Sequence, residues 1–295
     1  MPSQDISPGR AAGQSGLRTV VVATDFSRDA DAALRRASFL PFQPRGRLIL
    51  AHVLPPRINR TADAVVRAAA RRRLDDGRSR LLQRLATRRR TDVRVAIQLT
   101  RGSPAEEIGR LARDIGADLT VLGRRGHRTL RERLLGSVSE RVTRHARNPV
   151  LVVARTPKGP YRSVLAGFDL SPCAASAIRL AQRVAAPGAA FRVAHVYENP
   201  YLTSPVPTGV RLRIVTEDEI SRALPSPAAG QGPWQVVMRP GDPRRVILTM
   251  AGRGSCDLIA LGSMGRTGLV RRLIGSVAEG VLHLAPVDVL IVPQA

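Results

Sequence analysis

Aromatic residues are scarce in this chain, at 3% with a single tryptophan, and lysine is almost missing, Lys158 being the only one among 47 basic residues. So few rings leave little on which unpaired bases could stack, which argues against a nucleic-acid partner. Cysteine is limited to Cys173 and Cys256, both in the second half and in no metal or redox spacing. That excludes a disulfide scaffold and suits two small buried residues in a reducing cytoplasm, the location expected for this chain. No apolar run approaches the roughly 18 residues that a membrane helix needs, so no membrane insertion is expected. The opening MPSQDISPGRAAGQSG has no apolar centre and carries Asp5, unlike a secretory signal, and residues 1–16 read as a disordered tail. A phosphate loop of the Walker type with its lysine is missing too. So is any Ser/His/Asp or Cys/His spacing that would mark a group activating water for attack, and no catalytic residue is assigned.

What the chain has in excess is positive charge, a formal +24. Such a balance raises nucleic acid, anionic surfaces or acidic partners as candidates. Yet the charge is arginine spread along both halves, a pattern that coding bias produces as readily as a binding patch. Its densest run includes Arg71, Arg72, Arg73, Arg78, Arg80 and Arg84, beside an apolar stripe of Val66, Ala70, Leu74, Leu81 and Leu85. It therefore reads as the solvated face of a packed helix. Gly77 interrupts that helix and is a candidate break or kink.

One stretch occurs twice. Gly123 to Glu140 reads GRRGHRTLRERLLGSVSE, and Gly262 to Glu279 reads GSMGRTGLVRRLIGSVAE, displaced by 139 residues throughout. Each copy follows a short apolar run that reads as a buried strand, and each ends in Gly-Ser at the start of a helix. Glycines at 123 and 126 allow a sharp turn and a close approach of main-chain N–H groups to an anion. Gly136-Ser137 then opens a helix whose unpaired N–H groups and positive dipole end favour negative charge. The bland alternative is a pair of capping boxes, Ser137 with Glu140 and Ser276 with Glu279. A cap, however, requires neither upstream glycine.

Around these motifs, apolar runs alternate with helical periodicity. Strands are expected at Arg18 to Thr24, Gly46 to Val53, Val93 to Leu99, Asp118 to Leu122 and Val150 to Val153, and the set restarts at Ser163 after a Pro/Gly linker. Alternation of this kind argues for a mainly parallel sheet with helices on both faces. At 295 residues the chain is long enough for two such units. The Pro- and Gly-rich segment from Asn199 to Pro233 is expected to be looser, with only Glu217 to Leu224 helical.

On these residues, from Leu17 to Pro293, the chain resembles a tandem universal stress protein of the ATP-binding type. The resemblance implies an α/β fold of two tandem Rossmann-like domains of the adenine nucleotide alpha hydrolase-like kind, 17–156 and 157–295. Each would hold a five-stranded, mainly parallel sheet in the order 3-2-1-4-5. The winding then reverses between the first and fourth strands, and ligands in such sheets sit beside the reversal. Asp25 and Gly123 both fall there.

Asp25 and Asp169 end first strands, where a carboxylate could meet ribose hydroxyls or hold Mg²⁺ against phosphates. Their alternative role is an Asx turn opening the next helix. By resemblance, Ala23 and Thr24 flank the ligand and Val53 meets adenine. Leu122, Gly123, Arg125 and Gly126 line the loop, and Gly136, Ser137, Val138 and Ser139 surround the phosphates. The second site comprises Asp169, Val196, Leu261, Gly262, Met264, Gly265, Gly275, Ser276, Val277 and Ala278. Phe168 stands where the first copy has Thr24, Met264 replaces Arg125 and Ala278 replaces Ser139, so the second site is expected to bind more weakly. His52 and His195 read as satisfied core residues, and His127 and Arg128 as loop residues within reach of phosphate.

The implied function is a cytoplasmic, stress-response regulator that binds ATP with Mg²⁺ and acts through its bound state. A slow ATPase and a basic nucleic-acid or anionic-surface module are the alternatives. The last strands of the two domains are expected to pair edge to edge, leaving homodimerisation and a further protein partner open.

Overall fold

Runs rich in valine, leucine and isoleucine, apolar at successive positions, form strands covered on both faces. In β1 (Leu17–Ala23), Val20 and Val22 join the core on one side while Val21 packs with Ala112 and Ala117 on the other. The computed structural model describes residues 16–56, 60–126, 135–197, 215–252, 256–264 and 274–294. The rest of the expected tail, the loop positions His127 and Arg128, Gly265 and the start of the Pro-rich segment lie outside the described residues.

β1 is followed by α1 (Arg28–Ala37), β2 (Phe42–Leu54), α2 (Arg60–Thr87), β3 (Arg94–Arg101), α3 (Pro104–Asp114), β4 (Leu119–Gly123), α4 (Ser137–His145) and β5 (Val150–Val153). The second half repeats the series as β6 (Tyr161–Gly167), α5 (Pro172–Val184), β7 (Ala185–Tyr197), α6 (Glu217–Ala223), β8 (Gln235–Pro240), α7 (Pro243–Gly252), β9 (Leu258–Gly262), α8 (Ser276–Leu284) and β10 (Asp288–Val292). Ten strands make one sheet in the order β3-β2-β1-β4-β5-β10-β9-β6-β7-β8. Each half is thus 3-2-1-4-5 and parallel within itself.

The halves join where β5 and β10 run antiparallel, Leu151 opposite Leu290. The pairing removes two apolar edges that would otherwise template aggregation. One face of the joint sheet carries a core holding Leu34 of α1, Leu74 and Leu81 of α2, Ile178 of α5 and Ile220 of α6. The opposite face holds Ile108 of α3, Val142 of α4, Ile247 of α7 and Val281 of α8.

Gly77 does not break α2. The helix runs uninterrupted through it, because a side chain there would collide with the sheet: a Cβ would lie 2.8 Å from Leu50 Cδ2. Glycine serves close packing at this position, and that contact offsets its poor helix propensity.

Aspartates staple the first strand of each half to the fourth. Asp118 Oδ2 accepts from the N–H of Arg18 and Thr19 at 2.7 and 2.9 Å, and Asp257 accepts from those of Arg162 and Ser163 at 2.8 and 3.2 Å. Beyond this staple β1 and β4 pair in parallel from Val20 opposite Leu119 to Val22 opposite Val121, and the candidate site lies at their carboxyl ends.

Candidate functional site

The crevice of the first half is built from three backbone junctions: the end of β1, the end of β4 and the start of α4. At the first, Thr24 N–H still donates to Ala51 O at 2.8 Å, and then the chain turns sharply. Phe26 adopts φ of 65°, a left-handed conformation uncommon for a bulky side chain. Thr24 Oγ1 accepts from Phe26 N–H at 2.9 Å and Asp25 Oδ1 from Ser27 N–H at 3.0 Å. The Asx turn weighed for Asp25 is therefore formed, and it uses one oxygen. The other, Oδ2, lies over the glycine loop, 2.5 Å from where a Gly126 Cβ would be. Ser27 caps α1 by accepting from Ala30 N–H at 3.2 Å.

At the second junction β4 meets the first turn of α1 with no room for a side chain. A Cβ on Gly123 would lie 2.5 Å from the Asp29 carbonyl carbon. Asp29 then anchors the loop, its Oδ2 accepting from Arg125 N–H at 3.1 Å and from Arg125 Nε at 3.0 Å. Arg125 is thus drawn back onto α1, by a residue that the sequence motif does not include.

At the third junction the capping box of Ser137 with Glu140, the alternative weighed for this motif, does not form. The N-cap of α4 is Gly136, with φ of −71° and ψ of 144°, and no side chain caps the helix. Ser137 is already the first helical residue, so its hydroxyl is misplaced for the capping bond. Gly136 N–H donates to Arg124 O at 2.8 Å, folding the loop back on itself, and a Cβ on Gly136 would lie 3.2 Å from Arg125 Cα. Ser137 and Val138 are exposed, whereas Ser139 is buried and donates from Oγ to Gly123 O at 2.6 Å. Thr24, Asp25, Gly123, Arg125, Gly126 and Gly136 meet in one crevice. Ala23 and Leu122 are buried in the strands beneath it, and Val53 packs on the α3/α4 face.

The second half repeats the frame. Asp169 Oδ1 accepts from Ser171 N–H at 3.1 Å, Leu170 has φ of 67°, and α8 begins at Gly275 with no side-chain cap. Gly275 N–H donates to Ser263 O at 2.6 Å. Cys173 occupies the place of Asp29, however, and donates its Sγ–H to Val292 O at 2.9 Å. Met264 stands in place of Arg125, and among the described residues no ion pair matches that of Arg125 with Asp29. Ala278 and Leu261 are buried, Val196, Val277, Gly262 and Met264 are half-buried, and Ser276 is exposed.

Both histidines act as strand-end clamps, as their setting in apolar strands suggested. His52 Nδ1–H donates to Thr24 O at 2.7 Å and His195 Nδ1–H to Phe168 O at 2.8 Å. The His52 ring also lies 4.4 Å from that of Phe26. Burial pushes the His52 pKa down, with Arg73 adding to the fall and the Thr24 carbonyl and Asp25 opposing it. A histidine depressed in the fold contributes stability that is present above the unfolded value of about 6.5 and lost as pH falls through the folded value. His52→Phe removes that titration while keeping a ring on Phe26. Its unfolding free energy is expected to fall less steeply than wild type between about pH 7 and about pH 5; parallel curves in urea titrations would assign the acid limb elsewhere.

Burial lifts the Cys256 thiol to about 11, which keeps it protonated and inert at neutral pH. Among the described residues, no helix is long and apolar enough to cross a membrane.

Fold and site together define a tandem, doubly wound α/β protein with glycines at the end of the fourth strand and at the start of the helix after it in each half. The universal stress protein family model matches residues 16–154 and again 160–293, so the chain belongs to that family. It is 31% identical over 194 residues to a universal stress protein of Mycobacterium tuberculosis strain H37Rv, covering 61% of this chain and 63% of the relative. The match thus spans less than two thirds of that relative's length. A universal stress protein of Methanocaldococcus jannaschii is 26% identical over 154 residues, covering 47% of this chain and 95% of the relative. Among solved structures, a universal stress protein from Archaeoglobus fulgidus DSM 4304 superposes with a TM-score of 0.67 at 19% identity, covering 94% of this chain and 98% of that one, a likeness of fold.

Proposed function

We propose that the first-half crevice binds an adenine nucleotide, ATP with Mg²⁺, and that the protein regulates a stress response through the bound state rather than by turnover. The observation that carries this reading is the uncapped start of α4. Helices α1, α5 and α6 each have a side-chain oxygen on their first turn, and α3, though without a capping bond, begins with Ser103 and Pro104. By contrast α4, like α8, opens at a glycine that leaves its N–H groups bare of side chain. Its N–H groups and positive dipole end are the recurrent setting for phosphate. Gly123, Gly126 and Gly136 keep that space clear of Cβ atoms. In this reading Gly136 to Ser139 surround the phosphates, Asp25 meets ribose or the Mg²⁺, and Val53 meets the base. A single carboxylate together with phosphate oxygens is a usual Mg²⁺ environment. Ligand then stabilises one arrangement of loop and helix and so biases a partner surface.

The second half fits a weaker site, since Met264 and Ala278 stand where the first half has Arg125 and Ser139 and Phe168 is buried in the core where the first half has Thr24. Thermal unfolding with ATP and Mg²⁺ tests both halves. Saturation about a hundredfold above Kd is expected to add ~2.7 kcal/mol to stability. Gly136→Ala should fold, its Cβ being tight but not impossible against Arg125, and should lose most of the ATP response; Gly275→Ala should lose less. A melting curve unmoved by millimolar ATP, or equal losses in the two variants, would refute respectively the binding and the asymmetry.

A further inference from the structure

A second concavity of the first half lies on the sheet face covered by α1 and α2, away from α4, and encloses about 460 Å³. Its volume falls within the range of small-molecule sites. Leu34 and Leu50 lie at its base, both buried, with Gly77 of α2 packed against Leu50, and Phe26 lines one end. The walls are cationic. Arg28, Arg73, Arg80 and Arg84 face a space that only Asp31 and Asp76 counter, four positive groups against two negative.

These charges are poorly paired by protein. Arg80 and Arg84 approach the Asp31 carboxylate at 3.8 and 3.7 Å, too far for hydrogen bonds. Arg84 NH1 is buried and meets no acceptor among the described residues. A buried guanidinium N–H left without an acceptor is costly, and native interiors seldom retain one. Arg73 closes one end by stacking on Phe26, 4.3 Å above the ring. The matching concavity of the second half, beside Leu170, is lined by Glu219 and Arg222 with no comparable arginine group among the described residues.

We infer that this cleft binds a small organic phosphate, its dianion held by Arg80 and Arg84 and its organic body beside the stacked Arg73 and Phe26. A phosphomonoester dianion matches the excess of two positive charges, and its oxygens suit the planar fork of guanidinium groups. The cleft borders the candidate nucleotide site, sharing Thr24 and the turn at Phe26 and Ser27 with it, but its arginines on α2 are not part of that site, and the inference stands whether or not a nucleotide binds there.

Phenyl phosphate is the probe, titrated calorimetrically into the full chain and three variants. Saturable one-to-one binding is expected in wild type, with phenol and inorganic phosphate each binding more weakly because each supplies half of the contacts. Arg84→Gln and Arg80→Gln should each weaken phenyl phosphate about tenfold, the loss expected when one charged hydrogen bond goes. The Arg80 side chain is 52% exposed, so its variant will fold even if Arg84→Gln does not. Gly136→Ala should bind phenyl phosphate as wild type does, whatever becomes of its ATP response. Three outcomes overturn the inference: no saturable binding, equal binding by wild type and both arginine variants, or loss of binding in Gly136→Ala, which would put the probe in the glycine crevice.

Discussion

Arg36→Met is expected to lower the free energy of unfolding by about 3–5 kcal/mol at neutral pH, the cost of stranding a buried carboxylate. Arg36 lies on α1 and Asp288 on β10, the two being 5% and 2% exposed. Arg36 Nε donates to Asp288 Oδ2 at 3.0 Å and NH1 donates to Gly159 O of the linker at 2.7 Å. Asp288 also accepts from Tyr161 Oη at 2.7 Å and, through Oδ1, from Ala154 N–H at 2.9 Å. The guanidinium lies 3.9 Å over the Tyr161 ring. One carboxylate thus ties the end of β5, the linker, β6 and β10 to the first helix, and the two halves meet around it. Removing the cation leaves every other member in place and the charge uncompensated.

The same variant has a signature in pH. Burial raises the Asp288 pKa above the usual carboxylate value, while Arg36 first, then Tyr161 and the backbone N–H groups, pull it down. An acid raised in the fold keeps its proton longer there than in the unfolded chain, so its contribution is greatest at low pH and is lost as pH rises through the folded value. Without Arg36 that value climbs further. The penalty of Arg36→Met should therefore be smaller in acid than at neutrality, and adding Asp288→Asn should recover part of it at neutral pH. A penalty that is constant with pH in urea melts, or a double variant no better than the single, would mean that Arg36 acts by packing alone.

Nothing in the sequence announces this network, because its two charged members are 252 residues apart and follow no spacing rule. The strands and helices were legible for the opposite reason. A parallel sheet buried on both faces writes itself as uninterrupted apolar runs, and the helices between them as three-to-four periodicity, so β5 appears in the sequence with the bounds it has in the fold. The glycine junctions were legible because they recur. Their supports were not: Asp29 looks like any acidic residue in a helix's first turn, and only the fold brings it to Arg125. Arg124, one residue earlier, donates across the interface to the carbonyls of His283 and Ala285 at the end of α8, where a cation also complements the helix dipole. The Ser-x-x-Glu pattern left a capping box open as the alternative, and only the fold shows that the cap falls one residue earlier, at Gly136 and Gly275.

Gly123→Ala should be nearly as damaging, at about 3 kcal/mol, the upper part of the range for forcing atoms into a packed interior. Its Cβ would lie 2.5 Å from the Asp29 carbonyl carbon, 2.6 Å from the Asp29 oxygen and 2.8 Å from Ala30 N. These are backbone atoms in a capped helical turn and cannot step aside singly, so α1 must move away from β4. Gly262→Ala meets a softer wall, with Cys173 and Ala174 atoms at 2.9 Å, and should cost about 1–2 kcal/mol. The difference has a functional reading, because the turn displaced in the first half carries Asp29, whose carboxylate holds Arg125 and with it the glycine loop. Gly123→Ala is therefore expected to abolish the ATP response at temperatures where the chain is still folded, while Gly262→Ala preserves it. Urea titrations give the two stability losses and thermal shifts with ATP give the binding. Equal stability losses would show that the backbone contact at Asp29 yields as readily as the one at Cys173, and an intact ATP response in Gly123→Ala would separate the loop's anchor from the phosphate-binding geometry.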